Sequence, residues 1–209
     1  MHKALITFSL LLLQYFSYSQ TRAVTDKGEE VILNNDGTWK YANITPSYNT
    51  RLDTPVMKKS TDATFLVKGQ TVKYGVYIDP KKWTFKSEKQ EGSSQEYTFS
   101  LKNEDAYAMV ISERMELTQE LVKSAAVENA KSVAPDVHIT REETRKVNNQ
   151  IVWLMEMQGT IQGVPFVYIG YYYVGKVGTI QFITYTTQSL LKQYKAEMET
   201  LLNGLVLLD

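Results

Sequence analysis

Apolar residues recur with a period of two over residues 137–186, in four runs separated by three short breaks. The runs are 137–147, 151–161, 164–174 and 179–186. The breaks fall at Asn148-Asn149, Gln162-Gly163 and Gly175-Lys176-Val177-Gly178, residues that suit the tight, often left-handed loops of hairpins. Four consecutive antiparallel strands are therefore predicted. In the third run both alternating faces are apolar: Val164, Phe166, Tyr168, Tyr172 and Val174 on one, Val167, Ile169, Tyr171 and Tyr173 on the other. A strand apolar on both faces has to be covered on both. Residues 166–173 are thus expected to be interior on either side, roofed by one helix and floored by another. Trp153, with Ile151 and Met155 on its face, should belong to the core.

Upstream, Val31 and Leu33 alternate with polar neighbours, Asn34-Asn35-Asp36-Gly37 makes a turn, and Trp39 and Tyr41 alternate on the return. This predicts a hairpin over 29–41. A lone two-stranded hairpin is marginal in water, so Trp39 and Tyr41 should lie on the main domain or on a partner. Residues 43–63, with Pro46, Pro55 and many Ser, Thr and Asn, read as a linker. The main domain begins near Phe65. A first strand is predicted over 72–78 and ends at Asp79-Pro80; Trp83 and Phe85 then close the edge of the core. A polar loop covers 86–94, and two more strands follow at 95–101 and 106–111. In the first of them Tyr97, Phe99 and Leu101 point inward.

Helical spacing appears twice. Thr118 reads as an N-cap, Glu120 suits the first turn, and Leu121, Val122, Ala125, Ala126, Asn129 and Val133 recur on one side until Pro135. The last helix covers 189–202, with Leu191, Tyr194, Met198, Leu201 and Leu202 on its apolar stripe. Asn203-Gly204 ends it, and 205–208 returns to the core. The expected fold class is α+β: an antiparallel β-sheet with helices on both faces, plus a small N-terminal β-hairpin.

Composition narrows the chemistry. Lys3, the apolar stretch 4–13 and Ser17-Tyr18-Ser19 match a secretory signal peptide, with cleavage expected between Ser19 and Gln20. The predicted organisation is 1–19 signal peptide, 20–42 hairpin segment, 43–64 linker and 65–209 main domain. The 4–13 stretch is about half the ~20 residues that span a bilayer, so a soluble periplasmic or extracellular protein without stable membrane insertion is expected. The chain has no cysteine, which excludes disulfides, thiolate metal sites and thiol nucleophiles. Its 23 Lys and Arg balance 23 Asp and Glu without a long basic run, so no nucleic-acid partner is expected.

Reactive groups are few. After signal cleavage His138 is the remaining histidine; it sits among Thr140, Glu142, Thr144 and Lys146 on a polar strand face and reads as a surface residue. Weak metal ligation with Asp136 is its alternative. The adjacent pairs Glu29-Glu30 and Glu142-Glu143 point to opposite strand faces and cannot converge on one substrate. A carboxylate hydrolase would need Glu113 and Glu116 held across a cleft. No glycine-rich phosphate loop, G-x-S-x-G, EF-hand or HExxH pattern occurs. Tyr168, Tyr171, Tyr172, Tyr173 and Tyr185 cluster, as packing or as an aromatic platform for sugar or peptide, and Met155 and Met157 read as core filler.

Residues 73–83 (KYGVYIDPKKW), the helix from Thr118, the strand pair broken at Val147-Asn148-Asn149 and the closing helix resemble PsbP-like and DcrB-like domains in wording and order. The resemblance spans about 65–208. It implies an α/β/α sandwich, a non-catalytic domain, and protein binding or assembly; it carries no site residues. A signal peptide argues against photosystem and nuclear roles, and the missing cysteine against a lipoprotein form. The Asp36-Gly37-Thr38-Trp39 turn is similar to a short hairpin near the start of many exported bacterial proteins. The expected function is an exported, non-catalytic PsbP-like domain acting as an envelope protein-binding or assembly factor. The alternative is a periplasmic carrier of a small ligand, lipid or peptide, using a helix–sheet cleft near Trp83 and Tyr172. Trp39, Tyr41, Trp83 and Tyr172 are the candidate partner or ligand contacts; no catalytic, cofactor or metal residue is assigned.

Overall fold

The computed structural model describes residues 21–24, 30–33, 39–41, 56–88 and 93–209. The expected signal peptide, the turn at 34–37 and most of the linker lie outside the described residues. Near the N-terminus β1 (Thr21–Val24), β2 (Glu30–Leu33) and β3 (Trp39–Tyr41) form an antiparallel sheet in that order. Leu33 pairs with Trp39 and Val31 with Tyr41. β1 has no periodic signature of its own. It owes its extended form to the ladder offered by β2.

The next strands are β4 (Val56–Met57), β5 (Phe65–Lys68), β6 (Tyr74–Ile78), β7 (Trp83–Ser87), β8 (Gln95–Leu101) and β9 (Tyr107–Glu113). Helix α1 (Gln119–Lys131) follows, its first turn capped by Thr118, whose Oγ1 accepts the Leu121 N–H at 3.2 Å. The four period-two runs are β10 (His138–Val147), β11 (Gln150–Ile161), β12 (Val164–Gly175) and β13 (Gly178–Thr187). A 3-10 turn at Gln188–Leu190 leads into α2 (Leu191–Leu202), and β14 (Leu205–Leu207) closes the chain.

Eight strands make one sheet in the order β4-β10-β11-β12-β13-β9-β8-β7, antiparallel except where β4 meets β10. The order explains α1. Strands β9 and β10 run the same way with β13, β12 and β11 between them, so the chain must cross a face of the sheet to connect them. A helical crossover is the usual solution, because it satisfies its own backbone while spanning the distance. A second sheet, β14-β6-β5, is also antiparallel.

Pleating sorts the side chains into two clusters. Val152 and Leu154 of β11, with Val167, Ile169 and Tyr171 of β12, pack with Tyr74, Val76 and Ile78 of β6 and with Tyr194 and Met198 of α2. Trp153, Met155 and Met157 of β11, Tyr172 and Ile183 pack with Val122 and Ala126 of α1 and with Ala134 and Val137. The α1 cluster is the thinner one, and this corrects the expected enclosure of 166–173. Val167, Ile169 and Tyr171 are fully buried, but Phe166, Tyr168 and Tyr173 keep partial exposure. Tyr173 belongs to the α2 side, but for Tyr168 the cause lies in α1. Of its expected stripe only Val122 and Ala126 are buried, while Leu121 is 42% and Val133 54% exposed.

The β12–β13 turn depends on one glycine. Gly178 has φ 120°, and a Cβ there would meet the Glu113 carbonyl oxygen at 2.2 Å. Gly178→Ala should therefore lower stability by about 2–3 kcal/mol, read as a lower urea midpoint at constant m. An unchanged midpoint would mean that the turn relaxes without resistance.

Candidate functional site

Of the four aromatic residues singled out by sequence, Trp83 and Tyr172 do not converge. Trp39 and Tyr41 belong to β3 of the N-terminal sheet. Trp83 opens the edge strand β7 and is buried in the cluster that α2 shares, beside its register partner Leu101. Tyr172 is buried in the α1 cluster, its ring 5.4 Å from that of Trp153. Trp83 and Tyr172 thus lie on opposite faces of one sheet, so no single helix–sheet cleft takes in both. Strand parity decides this, and parity across eight strands depends on pairing order and on bulges that the sequence does not display.

An opening does exist elsewhere under α1. A cavity of about 170 Å³ is lined by Met109, Met157, Tyr168 and Ile183 from the sheet and by Ala126, Ala130 and Val133 from the helix side. Two alanines on the facing helix leave room that larger side chains would fill. Asn129 and Gln181 also line it. Both carboxamides had a visible signal: Asn129 interrupts the apolar stripe of a helix, and Gln181 interrupts an apolar strand. Tyr172 does not line this cavity. Its hydroxyl has no hydrogen-bond partner, and burial raises its pKa above the usual phenol value.

The buried charged groups are engaged internally. Arg145, buried on β10, donates to the Tyr171 hydroxyl at 2.9 Å and to Glu143, and the Tyr171 hydroxyl donates to Asn203 at 2.8 Å. Burial pushes Glu143 up, but hydrogen bonds from Arg145 and Arg141 outweigh it and hold the carboxyl below its ordinary range. Glu142 points the other way and meets Lys123 of α1 at 2.5 Å. Glu96 is buried and accepts four hydrogen bonds: the N–H groups of Gln70 and Thr71, the Tyr74 hydroxyl and the Ser112 hydroxyl, at 2.6–2.8 Å. A break in register between Gln95 and Tyr97 turns it inward. Neither Glu96 nor Arg145 stood out in the sequence.

The remaining chemical candidates are equally ordinary. His138 is exposed, its Nδ1 3.2 Å from the Asp136 carbonyl oxygen, and the Asp136 carboxylate accepts the Thr160 N–H at 2.7 Å. Glu113 accepts from the Ser94 hydroxyl at 2.8 Å. Among the described residues no three His, Asp or Glu side chains gather as a metal site would require.

Among the exposed apolar side chains, two aromatic rings face outward together. Phe65 on β5 and Phe85 on β7 are 47% and 39% exposed, their ring centroids 5.7 Å apart. Each sits on the terminal strand of its sheet, and Phe85 leans on Tyr97 and Phe99 behind it. The pair bridges two open sheet edges.

No family model and no curated protein matches the chain. Among solved structures it is similar to cyanobacterial PsbP (CyanoP) from Synechocystis sp. PCC 6803, at 12% identity and a TM-score of 0.51, over 68% of this chain and 91% of that one. An identity that low speaks for architecture alone, and the architecture is a PsbP-like α+β fold.

Proposed function

We propose that this chain is an exported, non-catalytic PsbP-like domain that binds another protein of the cell envelope. In this reading the eight-stranded sheet is layered between α1 on one face and α2 with the small sheet on the other. The observation that carries it is the aromatic edge at Phe65 and Phe85. Exposed aromatic pairs on open sheet edges are costly to leave in water and suit a partner that extends or caps the sheet. Trp39 and Tyr41 on β3 are further candidate contacts in the same reading. The signal-like residues 1–19 support export, and no described helix is long and apolar enough to cross a membrane.

A photo-crosslinking amino acid at position 85, in living cells, tests the reading. A discrete adduct should form there, be absent with the probe at the exposed Lys192, and disappear when Phe65→Ser is added. Because Phe65 is half exposed, that substitution should cost less than about 1 kcal/mol. Equal adducts at both positions, or none at 85, would remove the edge as a docking surface.

A further inference from the structure

The cavity under α1 is apolar on most of its wall yet carries two carboxamides. Gln181 is only 8% exposed and lies on the sheet side; Asn129 comes from the helix. Neither side chain hydrogen-bonds another protein group among the described residues, and Asn129 itself is exposed to solvent. Both carboxamides are therefore available to a ligand that takes the place of solvent in the cavity. No Lys, Arg, Asp or Glu lines the cavity. A charged ligand would lose its hydration there without compensation.

Size sets the other limit. An apolar cavity of roughly 150 Å³ accommodates benzene, and this one measures about 170 Å³. We propose that the cavity is a binding site for a small neutral ligand with one ring-sized apolar group and a carbonyl or amide head. The apolar group lies against Met157, Ile183 and Ala130. The amide N–H groups of Gln181 and Asn129 donate to the ligand carbonyl, and their oxygens accept from a ligand N–H where there is one. The site is on the α1 side of the sheet, away from Phe65 and Phe85; Phe99 behind Phe85, itself against Phe182, belongs to the α2 side. It can therefore be occupied or empty independently of a protein docked at that edge.

Benzamide is the probe, and the methyl resonances of Met109 and Met157 in methionine-labelled protein are the readout. Titration to about 10 mM covers the range in which a fragment of this size binds. Both methyls should shift and saturate with benzamide, and benzoate should bind at least about tenfold more weakly. Ala130→Phe, which fills the cavity from the helix, should abolish the shifts. Gln181→Leu should weaken benzamide at least about fivefold while leaving the methyl spectrum dispersed, so the test survives if the filled variant folds poorly. No saturable shift in the unmodified protein, equal binding of benzoate, or full binding to Gln181→Leu would overturn the proposal.

Discussion

Trp153→Ala should lower the free energy of unfolding by about 3–5 kcal/mol, the usual range for deleting a buried tryptophan. Trp153 is 4% exposed in the middle of β11, opposite Thr144 on one neighbour and Tyr172 on the other. Its ring packs against Tyr172, and the Lys123 ammonium lies 5.8 Å from its centroid. Losing the indole removes the transfer free energy of a large side chain and leaves a void. Collapse is limited because the void's floor is a paired strand whose backbone is fixed on both sides. The void's roof is α1, which meets the sheet through few large side chains, so part of the cost is recovered only by moving that helix. A urea titration separates the cases. A fall in midpoint at constant m reports a simple cavity, and a fall in both reports α1 loosened from the sheet. A change below about 1 kcal/mol would mean that this face of β11 is not packed at all.

Glu96→Gln should cost about 3 kcal/mol, because hydrogen bonds to a charged acceptor contribute roughly 1.5–3 kcal/mol each and an amide keeps only one oxygen. Two backbone N–H groups and two hydroxyls now converge on one carboxylate. An amide NH₂ placed among them would face donors. Burial by itself pushes the Glu96 pKa up, but the bonds from Ser112, Thr71, Gln70 and Tyr74 outweigh it, and the net direction is down. The folded carboxyl therefore titrates below its unfolded value of about 4.3. Its contribution is complete above that value and is lost as pH falls through the folded pKa. The natural protein should lose stability over that acid window more steeply than Glu96→Gln, and the two denaturation curves should draw together as pH falls. Parallel curves from neutral to acid pH would show that the carboxylate charge is not what the donors hold.

How much of this was legible in the residues differs by element. The β10–β13 meander was, because its turns carry residues that accept left-handed backbone: Asn148 has φ 51°, Gln162 φ 50° and Gly163 φ 84°. Each turn fixes the register of the strands it joins, and alternation then assigns the faces. The start of α1 was legible in Thr118 for the same local reason. The pairing of β13 with β9 was not, since those strands lie far apart in sequence and no turn connects them. The inward turn of Glu96 was hidden too: simple alternation puts it opposite Tyr97 and Phe99, and only the bulge reverses it.

By itself, the order of residues determined the β10–β13 meander and both helices, where they turn, that no thiol chemistry is available, and that β12 needs covering on both faces. These follow from local backbone preference and from the period of apolar side chains, which neighbours along the chain set between them. Tertiary structure decided that Trp83 and Tyr172 face away from each other, that Glu96 and Arg145 are buried, and that Gln181 and Asn129 meet across an unfilled space. Those outcomes depend on strand order, on one bulge and on how far α1 reaches over the sheet, quantities that exist only when distant parts of the chain are packed together.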